Sequence, residues 1–309
     1  MKVFAGSSHP GLAKEICSYL GMPLGQSETV KFLNGNLMVK IHENVREEDV
    51  FVVQTSCDPV HENMFELFMM IDALKHASAK RITAVIPYYP YVRSDKKDQP
   101  RISITARLVA DFLETAGTNR VLTIDLHSPQ IQGFFRMPVD QLKATNIICQ
   151  YLRKRTMSDF VIVAGDAGEA KDVTRYANRL NLPMAIIDKR RYGNDDKPRA
   201  VNIIGEVEGL NALLIDDEVS TGRTLLEAAE FLHKKGVKKI FAACTHPVLC
   251  ADATSRLRDS LIEELVTTNT IPIPEEKRNE KIVELSIAQL LASAINCIHS
   301  GNSISALFN

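Results

Sequence analysis

The stretch "LLIDDEVSTGRTL", Leu213 to Leu225, indicates both a fold class and a kind of site. An apolar run ends at Asp216 and Asp217, a turn rich in small residues follows, and an amphipathic helical pattern begins at Thr224. A buried strand that passes through a polar turn into a helix is the repeating unit of parallel α/β proteins. We therefore expect a parallel sheet, with this turn at its carboxyl edge.

The turn itself predicts a phosphate site. Small residues let backbone N–H groups converge on an anion, and the dipole of the following helix also favours negative charge. The two aspartates cannot bind phosphate, but they can accept hydrogen bonds from ribose hydroxyls or hold magnesium in its second shell. A capped helix after an acidic loop would need neither both aspartates nor the glycine. The residues expected to bind the phosphorylated sugar are Asp216, Asp217, Ser220, Thr221, Gly222, Arg223 and Thr224.

The same alternation extends along the whole chain. Strand candidates are KVFA, DVFVVQ, RITAVI, RVLTI, FVIVA, MAIID, ALLI and KIFAAC, with helical patterns at 62–77, 103–115, 170–180 and 224–235 between them. "VKFLNGNLMVKI" predicts a protruding β-hairpin with a tight Asn-Gly turn. Similar strand-end motifs in the two halves indicate two related α/β domains, 1–142 and 143–309, and we expect the last few residues to pack on the N-terminal domain.

Composition limits the possible partners. Of 309 residues 24% are charged, and 37 Lys and Arg against 38 Asp and Glu give a formal net charge of -1. This balance argues against a dedicated nucleic-acid binder. The six cysteines lack zinc-site spacing, and no apolar run has the length of a membrane span. We expect a cytoplasmic protein with free thiols that binds small molecules, and neither nucleic acid nor membrane.

Several other predicted strands also end in polar clusters: PYYPYVRSDKKDQPR, DLHSPQIQGFF, GDAGEAK and DKRRYG. "IDDEVSTGRT" resembles the phosphoribosyl-binding loop of type I phosphoribosyltransferases and of ribose-phosphate pyrophosphokinases. The stretches NVREEDVFVVQTSC, RITAVIPYYPYVRSDKKD, VLTIDLHSPQIQGFF and MAIIDKRR resemble the second family, in order and over almost the whole chain. That resemblance implies two tandem type I phosphoribosyltransferase-like domains, each a mainly parallel sheet flanked by helices.

The resemblance also implies a reaction and its residues. The enzymes of this family transfer the diphosphoryl group of ATP to the C1 hydroxyl of ribose 5-phosphate, with Mg²⁺ as cofactor. By resemblance Lys189 and Arg191 are catalytic, on a loop that closes over the site, and His127 and Asp166 are magnesium ligands. From the residues alone, a locally hydrogen-bonded histidine is the better interpretation of His127. The basic run is most often a solvated turn, although its position at the carboxyl end of a strand favours a functional role.

Nucleotide binding and assembly rest on the resemblance as well. It implies that Phe32 stacks on adenine in a neighbouring subunit's site, which makes the protein a homo-oligomer, either a dimer or a hexamer. The residues implied in ATP binding are Phe32, Asn34, Asn36, Arg93, Ser94 and Asp95. Those implied in a regulatory phosphate site are Arg46, Arg101, Ser303 and Ser305.

The chain departs from the family's pattern at several positions. Asn34 and Asn36 replace acidic residues, Ser94 replaces glutamine, Ser220 replaces an acidic residue and Arg223 replaces glycine. The hairpin changes bear on nucleotide preference, and Arg223 either adds a phosphate contact or crowds the turn. Two other functions stay open at this point: a phosphoribosyltransferase, and a non-catalytic regulatory homologue of the pyrophosphokinase.

Overall fold

A computed structural model describes residues 1–190 and 199–308. The chain divides into two compact units. The first comprises Met1–Lys143, Thr270–Pro272 and the segment from Ser286 onward, and the second comprises Ala144–Asn269 and Ile273–Leu285.

The elements of the first 143 residues alternate between strands and helices. They are β1 (Lys2–Ala5), α1 (Pro10–Leu20), β2 (Ser27–Lys31), β3 (Leu37–Ile41), β4 (Asp49–Val53), α2 (Val60–His76), β5 (Arg81–Ile86), α3 (Thr105–Ala116), β6 (Arg120–Ile124) and β7 (Val139–Leu142). The rest of the chain contains α4 (Thr145–Leu152), β8 (Phe160–Ala164), α5 (Ala170–Leu180), β9 (Met184–Arg190), β10 (Arg199–Ile204), β11 (Asn211–Glu218), α6 (Arg223–Lys234), β12 (Ile240–His246), α7 (Ala253–Arg258), β13 (Ile262–Thr268), β14 (Ile282–Leu285) and α8 (Ala288–Ser300).

The first unit contains a five-stranded parallel sheet in the order β1-β4-β5-β6-β7. Strands β4, β5 and β6 are buried over most of their length, which explains their nearly continuous apolar sequences. Phe4, Val52, Leu67 and Ile71 belong to its core. The strands predicted at 2–5, 81–86 and 120–124 are confirmed. The polar strand β7, VDQL, was not predicted because it has no clear apolar pattern.

The predicted hairpin is present, but its turn differs from the prediction. Strands β2 and β3 pair antiparallel as a separate two-stranded sheet, in which Lys31 is opposite Leu37. The connection is therefore the five-residue segment 32–36, and not a two-residue Asn-Gly turn. Gly35 takes a positive φ of 85°, and the Phe32 N–H donates to the Asn36 carbonyl over 2.8 Å.

The second unit contains a seven-stranded sheet in the order β10-β9-β8-β11-β12-β13-β14. All of its neighbouring pairs are parallel except β9 with β10. Strand β11 therefore lies near the middle, between β8 and β12. Val163, Leu214, Leu232 and Leu265 contribute to the core. Because β8, β9 and β11 are parallel neighbours, their carboxyl ends meet at one edge, which is where the predicted site residues of this unit lie.

Helix α8 packs against α1 within the first unit, although it follows β14 in sequence. Its last turn lies beside Asp49, whose carboxylate accepts hydrogen bonds from Arg81 Nε over 2.8 Å and pairs with His299 Nδ1 at 2.7 Å. All six cysteines are free, as predicted. Among the helices of residues 1–190 and 199–308, none combines the length and hydropathy that a membrane crossing requires.

Candidate active site

The two adjacent aspartates lie within the central strand of the second unit, and not in the loop after it. Strand β11 continues to Glu218, with Asp216 paired to Cys244 and Glu218 paired to His246 of β12. The Asp217 N–H donates to Asp216 Oδ1 over 2.8 Å, and the Glu218 N–H donates to Asp217 Oδ1 over 3.0 Å. The strand ladder thus fixes the backbone that carries both carboxylates.

The turn after β11 ends at Gly222, which has a left-handed φ of 72° and immediately precedes α6. Arg223 is the first residue of that helix, so its side chain is compatible with the turn and is exposed to solvent. The question of crowding is resolved, because the left-handed conformation falls on the glycine. No side chain of the described residues caps α6, although the Arg223 N–H makes a long 3.5 Å contact with Thr221 Oγ1. The first N–H groups of α6 therefore receive no side-chain cap from the described residues and are available to an anion.

A second segment supports this turn from behind. The Leu249 N–H donates to the Val219 carbonyl over 2.9 Å, and the Cys250 N–H donates to the Ser220 carbonyl over 3.1 Å. Ser220 Oγ and Cys250 Sγ are also 3.1 Å apart. Leu249 and Ala251 on either side adopt positive φ angles. Cys250 was not predicted as a site residue, and no local sequence pattern marks it.

Further carboxylates lie at the carboxyl end of β8. Asp166 Oδ1 accepts hydrogen bonds from Gly168 N at 2.7 Å and Glu169 N at 3.3 Å, and Glu169 Oε2 accepts one from Gly165 N at 3.0 Å. Glu169 was not predicted, although its place in the GDAGEA turn beside Asp166 could have indicated it.

The electrostatics join these residues to the central strand. Burial, and then repulsion from Asp166, raises the pKa of Glu169 to about 7, although Lys189 opposes the shift. Burial, and then repulsion from Glu169, raises the pKa of Asp216 well above its ordinary value. The ends of β8, β9 and β11 therefore form one mutually interacting group: Asp166, Glu169, Lys189, Asp216 and Asp217. We call this group the acidic edge.

Of the two residues predicted to be catalytic, one lies at this edge. Lys189 is half-buried at the end of β9, where it is paired in register with Ala200 of β10. Arg191 and the loop residues Asp195, Asp196 and Lys197 lie outside the described residues.

The first unit presents its own predicted residues after β5 and β6. Arg93 is exposed and Asp95 is half-buried on the segment after β5. Ser94 Oγ donates to the Ser103 carbonyl over 3.1 Å and accepts from the Thr105 N–H over 3.3 Å, so this hydroxyl holds the segment against the start of α3. His127 is exposed after β6, two residues beyond Asp125, which pairs with Lys143 at 3.0 Å.

The remaining predicted residues of this unit lie on the hairpin and in exposed loops. Phe32 is 47% exposed at the hairpin tip, and the Asn36 N–H donates to Asn34 Oδ1 over 3.1 Å. Ser303 Oγ donates to Ser305 Oγ over 2.9 Å. Arg46 and Arg101 are exposed, and within the described residues neither side chain makes an ion pair. The two serines are brought together, whereas no contact joins them to the arginines in that part of the chain.

The donor set of the acidic edge fits a hard divalent cation. Among residues 1–190 and 199–308, no three His, Cys, Asp or Glu side chains already converge at metal-ligand spacing. Asp166, Asp216 and Asp217 nevertheless supply carboxylate oxygens, the ligands that Mg²⁺ prefers. Burial, and then repulsion among the carboxylates of this edge, raises the pKa of Glu169 and of Asp216, and a bound cation would relieve that repulsion.

Comparisons with known proteins agree over the whole chain. Residues 1–117 match the model of the N-terminal domain of ribose phosphate pyrophosphokinase, and residues 191–309 match the phosphoribosyl synthetase-associated domain. A ribose-phosphate pyrophosphokinase of Bacillus caldolyticus is 46% identical over 309 residues, which is 100% of this chain and 98% of that relative. One of Caldanaerobacter subterraneus is 48% identical over the same length, again 100% of this chain and 98% of that relative. The crystal structure of phosphoribosylpyrophosphate synthetase from Mycobacterium smegmatis matches with a TM-score of 0.92 and 40% identity, over 97% of this chain and 99% of that chain.

Proposed function

The chain belongs to the ribose-phosphate pyrophosphokinase family, and from this premise we propose how its residues divide the reaction. It is an enzyme that transfers the diphosphoryl group of ATP to the C1 hydroxyl of ribose 5-phosphate, which yields 5-phosphoribosyl 1-diphosphate (PRPP) and AMP for nucleotide biosynthesis. The predicted fold class, two tandem phosphoribosyltransferase-like domains, is confirmed. The assignments of single residues that follow are proposals.

The ribose 5-phosphate site is proposed at the turn between β11 and α6. The observation that carries it is the uncapped start of α6, preceded by left-handed Gly222 and, five residues earlier, by Asp217. Backbone N–H groups there would bind the 5-phosphate, together with the hydroxyls of Ser220, Thr221 and Thr224. Asp216 and Asp217 would accept hydrogen bonds from the ribose hydroxyls, which a phosphate-binding turn alone cannot do.

The transfer step places a demand for positive charge beside these carboxylates. The C1 hydroxyl gives up its proton to solvent as its oxygen forms a bond to the β-phosphorus of ATP. The bond from that phosphorus to the oxygen shared with the α-phosphorus breaks, and AMP leaves with the electron pair. Negative charge spreads over the transferred group during this exchange. Lys189 is proposed to stabilise that charge, since it lies at the end of β9 and interacts electrostatically with Glu169. Arg191, outside the described residues, is proposed to contact phosphate.

The ATP site is proposed to use residues of the first unit. Arg93 would bind the triphosphate, Asp95 would belong to the same ATP-binding segment, and the Ser94 hydroxyl would act by holding that segment against α3. Phe32 would stack on adenine from the hairpin tip, with Asn34 and Asn36 beside the amino group. The exposed aromatic ring of Phe32 supports that role, because nothing in its own unit covers about half of it.

Magnesium is the proposed cofactor, and Asp166 and His127 are its proposed ligands by family resemblance. When bound, it would neutralise phosphate charge on the donor. The carboxylates of the acidic edge are the support for this assignment.

The assembly of the protein, its regulation and its location are also proposals. A homo-oligomer, dimer or hexamer, would give the exposed Phe32 a neighbouring subunit to contact. Ser303 and Ser305, which touch each other, would bind a regulatory phosphate with Arg46 and Arg101. A domain boundary at residues 142 and 143 would follow the end of β7. The six free thiols support a cytoplasmic location.

The alternatives have less support. Relatives that match the chain from end to end are named ribose-phosphate pyrophosphokinases, and none of those reported is a base transferase or a regulatory subunit.

In the decisive experiment, the purified protein is incubated with ribose 5-phosphate, Mg²⁺ and each nucleoside triphosphate in turn. Equal amounts of AMP and PRPP with ATP are expected. PRPP formed only from another nucleotide would reassign the donor, and no product with any donor, with or without phosphate, would contradict the catalytic assignment.

A further inference from the structure

The β2–β3 hairpin is attached mainly through side chains, and the Gly25 N–H at its base donates to the Val3 carbonyl of β1 over 2.7 Å. It forms a two-stranded sheet of its own, and its strands pair with neither of the larger sheets. The remaining strands of the first unit are oriented by backbone pairing within the larger sheet, whereas the two hairpin strands pair only with each other. The hairpin instead lies against α2, and Val39 and Ile41 pack on the apolar core. Apolar packing is non-directional, so some other interaction must set the orientation of the hairpin.

Glu66 of α2 supplies a directional contact. It is only 2% exposed, and each of its carboxylate oxygens accepts two hydrogen bonds. Oε1 accepts from Thr29 Oγ1 at 2.6 Å and Ser7 Oγ at 2.7 Å, and Oε2 accepts from Gln54 Nε2 at 2.7 Å and Ser7 N at 3.0 Å. These partners are neutral, and among the described residues no cation pairs with this carboxylate. A buried carboxylate without a cation is stable only when its acceptor sites are filled, so the loss of one donor has a large effect.

A second contact fixes the register of the hairpin on the helix. Lys31 Nζ donates to Glu62 Oε2 over 2.5 Å, so Thr29 and Lys31 of β2 meet Glu66 and Glu62 of α2. Residues two apart on a strand are separated by about 6.6 Å, and residues four apart on a helix by about 6 Å. The two spacings match, so both contacts form together in one orientation only. Lys31 and Glu62 are exposed, so that pair contributes less than the buried contact.

The contacts of Thr29 and Lys31 with α2 lie close in sequence to the hairpin tip. Phe32 follows Lys31 in sequence, and the tip is closed by the hydrogen bond from Gly35 N to the Phe32 carbonyl at 2.9 Å. Phe32 is three positions beyond Thr29, about 10 Å of extended chain. Any rotation at Thr29 is therefore transmitted to the tip.

We propose that Glu66 is a positioning residue for the nucleotide, which orients the hairpin on α2 through Thr29 and so determines the affinity for ATP. This inference rests on the proposed role of the hairpin tip in ATP binding. The role proposed for Glu66 is indirect. Its buried position places it behind the hairpin, where it acts through Thr29.

The test compares single substitutions in the full-length protein. Thr29→Val removes the donor hydroxyl and keeps the shape. Thr115→Val is the matched control, since the Thr115 hydroxyl donates to the Asp111 carbonyl on α3 and does not contact the hairpin. Initial rates give KM for both substrates, and hydrogen exchange reports the opening of residues 27–41.

For Thr29→Val we expect faster exchange in the hairpin and an ATP KM raised about three- to tenfold, with kcat and the KM for ribose 5-phosphate within about twofold. Thr115→Val should change none of these. Unchanged exchange in the hairpin would overturn the inference. So would faster exchange with an unchanged ATP KM.

A third variant separates this inference from the proposed function. Phe32→Ala tests the hairpin tip directly. If Phe32→Ala raises the ATP KM and Thr29→Val does not, the positioning role is wrong and the ATP site stands. If neither substitution alters the ATP KM, the assignment of the hairpin to ATP fails, and the inference fails with it.

Discussion

Replacement of Gly222 by alanine should weaken ribose 5-phosphate binding through backbone conformation alone. Gly222 has a φ of 72°, and an added Cβ would meet only Val219 Cγ1, at an ordinary contact distance of 3.9 Å. The substitution therefore creates strain without a steric clash. A residue with a Cβ costs about 1–2 kcal/mol in the left-handed region, and the lower entropy of its unfolded chain offsets about 0.4–1 kcal/mol of that. The net loss of folding stability is therefore about 1 kcal/mol.

The chain offers a matched control for this strain. Gly209 has the same φ of 72°, no atom lies within 4 Å of its added Cβ, and it belongs to the same unit but to another turn. Gly209→Ala should therefore lose the same stability, about 1 kcal/mol, without any change at the proposed phosphate turn.

The two variants should differ in substrate binding. If the turn before α6 holds the 5-phosphate, any relaxation of Gly222→Ala displaces the N–H groups that face the anion. Calorimetric titration with ribose 5-phosphate should then give a Kd raised at least about fivefold, the equivalent of about 1 kcal/mol. Urea unfolding checks that both variants lose equal stability. Equal stability losses with the same Kd in both variants would refute the placement of the phosphate at this turn.

Further predictions concern catalysis, nucleotide choice and stability. Lys189→Ala should lower kcat far more than it weakens ribose 5-phosphate binding, because the proposed interaction strengthens in the transition state. Single-turnover rates and titration with ribose 5-phosphate measure the two effects, and equal losses in both would contradict the role of Lys189. Changing Asn34 and Asn36 to aspartate should sharpen the preference for ATP, and an unchanged nucleotide profile would exclude the hairpin from specificity. Burial opposes ionisation of Asp49, but its hydrogen bonds with Arg81 and the neighbouring histidine outweigh burial and hold its pKa below the ordinary value. Asp49→Asn should therefore cost about 2 kcal/mol near pH 7, and the difference from wild type should disappear as pH falls through that lowered pKa, measured by urea unfolding between pH 7 and 3.

Local pattern predicted those parts of the fold in which burial is uniform. RITAVI and FVIVA are buried over almost every residue, and their apolar runs coincide with β5 and β8. β14, IVEL, is half-buried throughout and carries neither an apolar run nor a clean alternation, so it was missed. α1 was missed because its helical pattern begins at Pro10, immediately after the capping His9. The strand was missed because it is only partly buried, and the helix was missed because its start signal is short.

The turn of the candidate site could be predicted from the sequence, whereas some of the residues around it could not. The run from Asp216 to Thr224 identified the turn, because strand, small residues and helix are adjacent in sequence. Glu169 and Cys250 were not identified, since their relation to this turn arises from the order of strands in the sheet. Cys250 lies 30 residues beyond Ser220 and meets it only because the segment after β12 returns alongside the end of β11. Such a contact depends on topology, which local sequence patterns do not contain.

The acidic edge gives a physical reason to regard this end of the sheet as functional. Burial, and then repulsion from neighbouring carboxylates, raises the pKa of both Glu169 and Asp216, so ionisation of either group opposes folding. An asparagine or glutamine would keep most of the hydrogen bonds of a purely structural turn and avoid that repulsion. Carboxylates that destabilise one another in this way are characteristic of sites that receive positive charge or hydroxyl donors. A phosphorylated sugar offers the hydroxyls, but its phosphate adds negative charge. The proposed roles of Lys189 and of Mg²⁺ would supply the positive charge that balances the charge of these substrates.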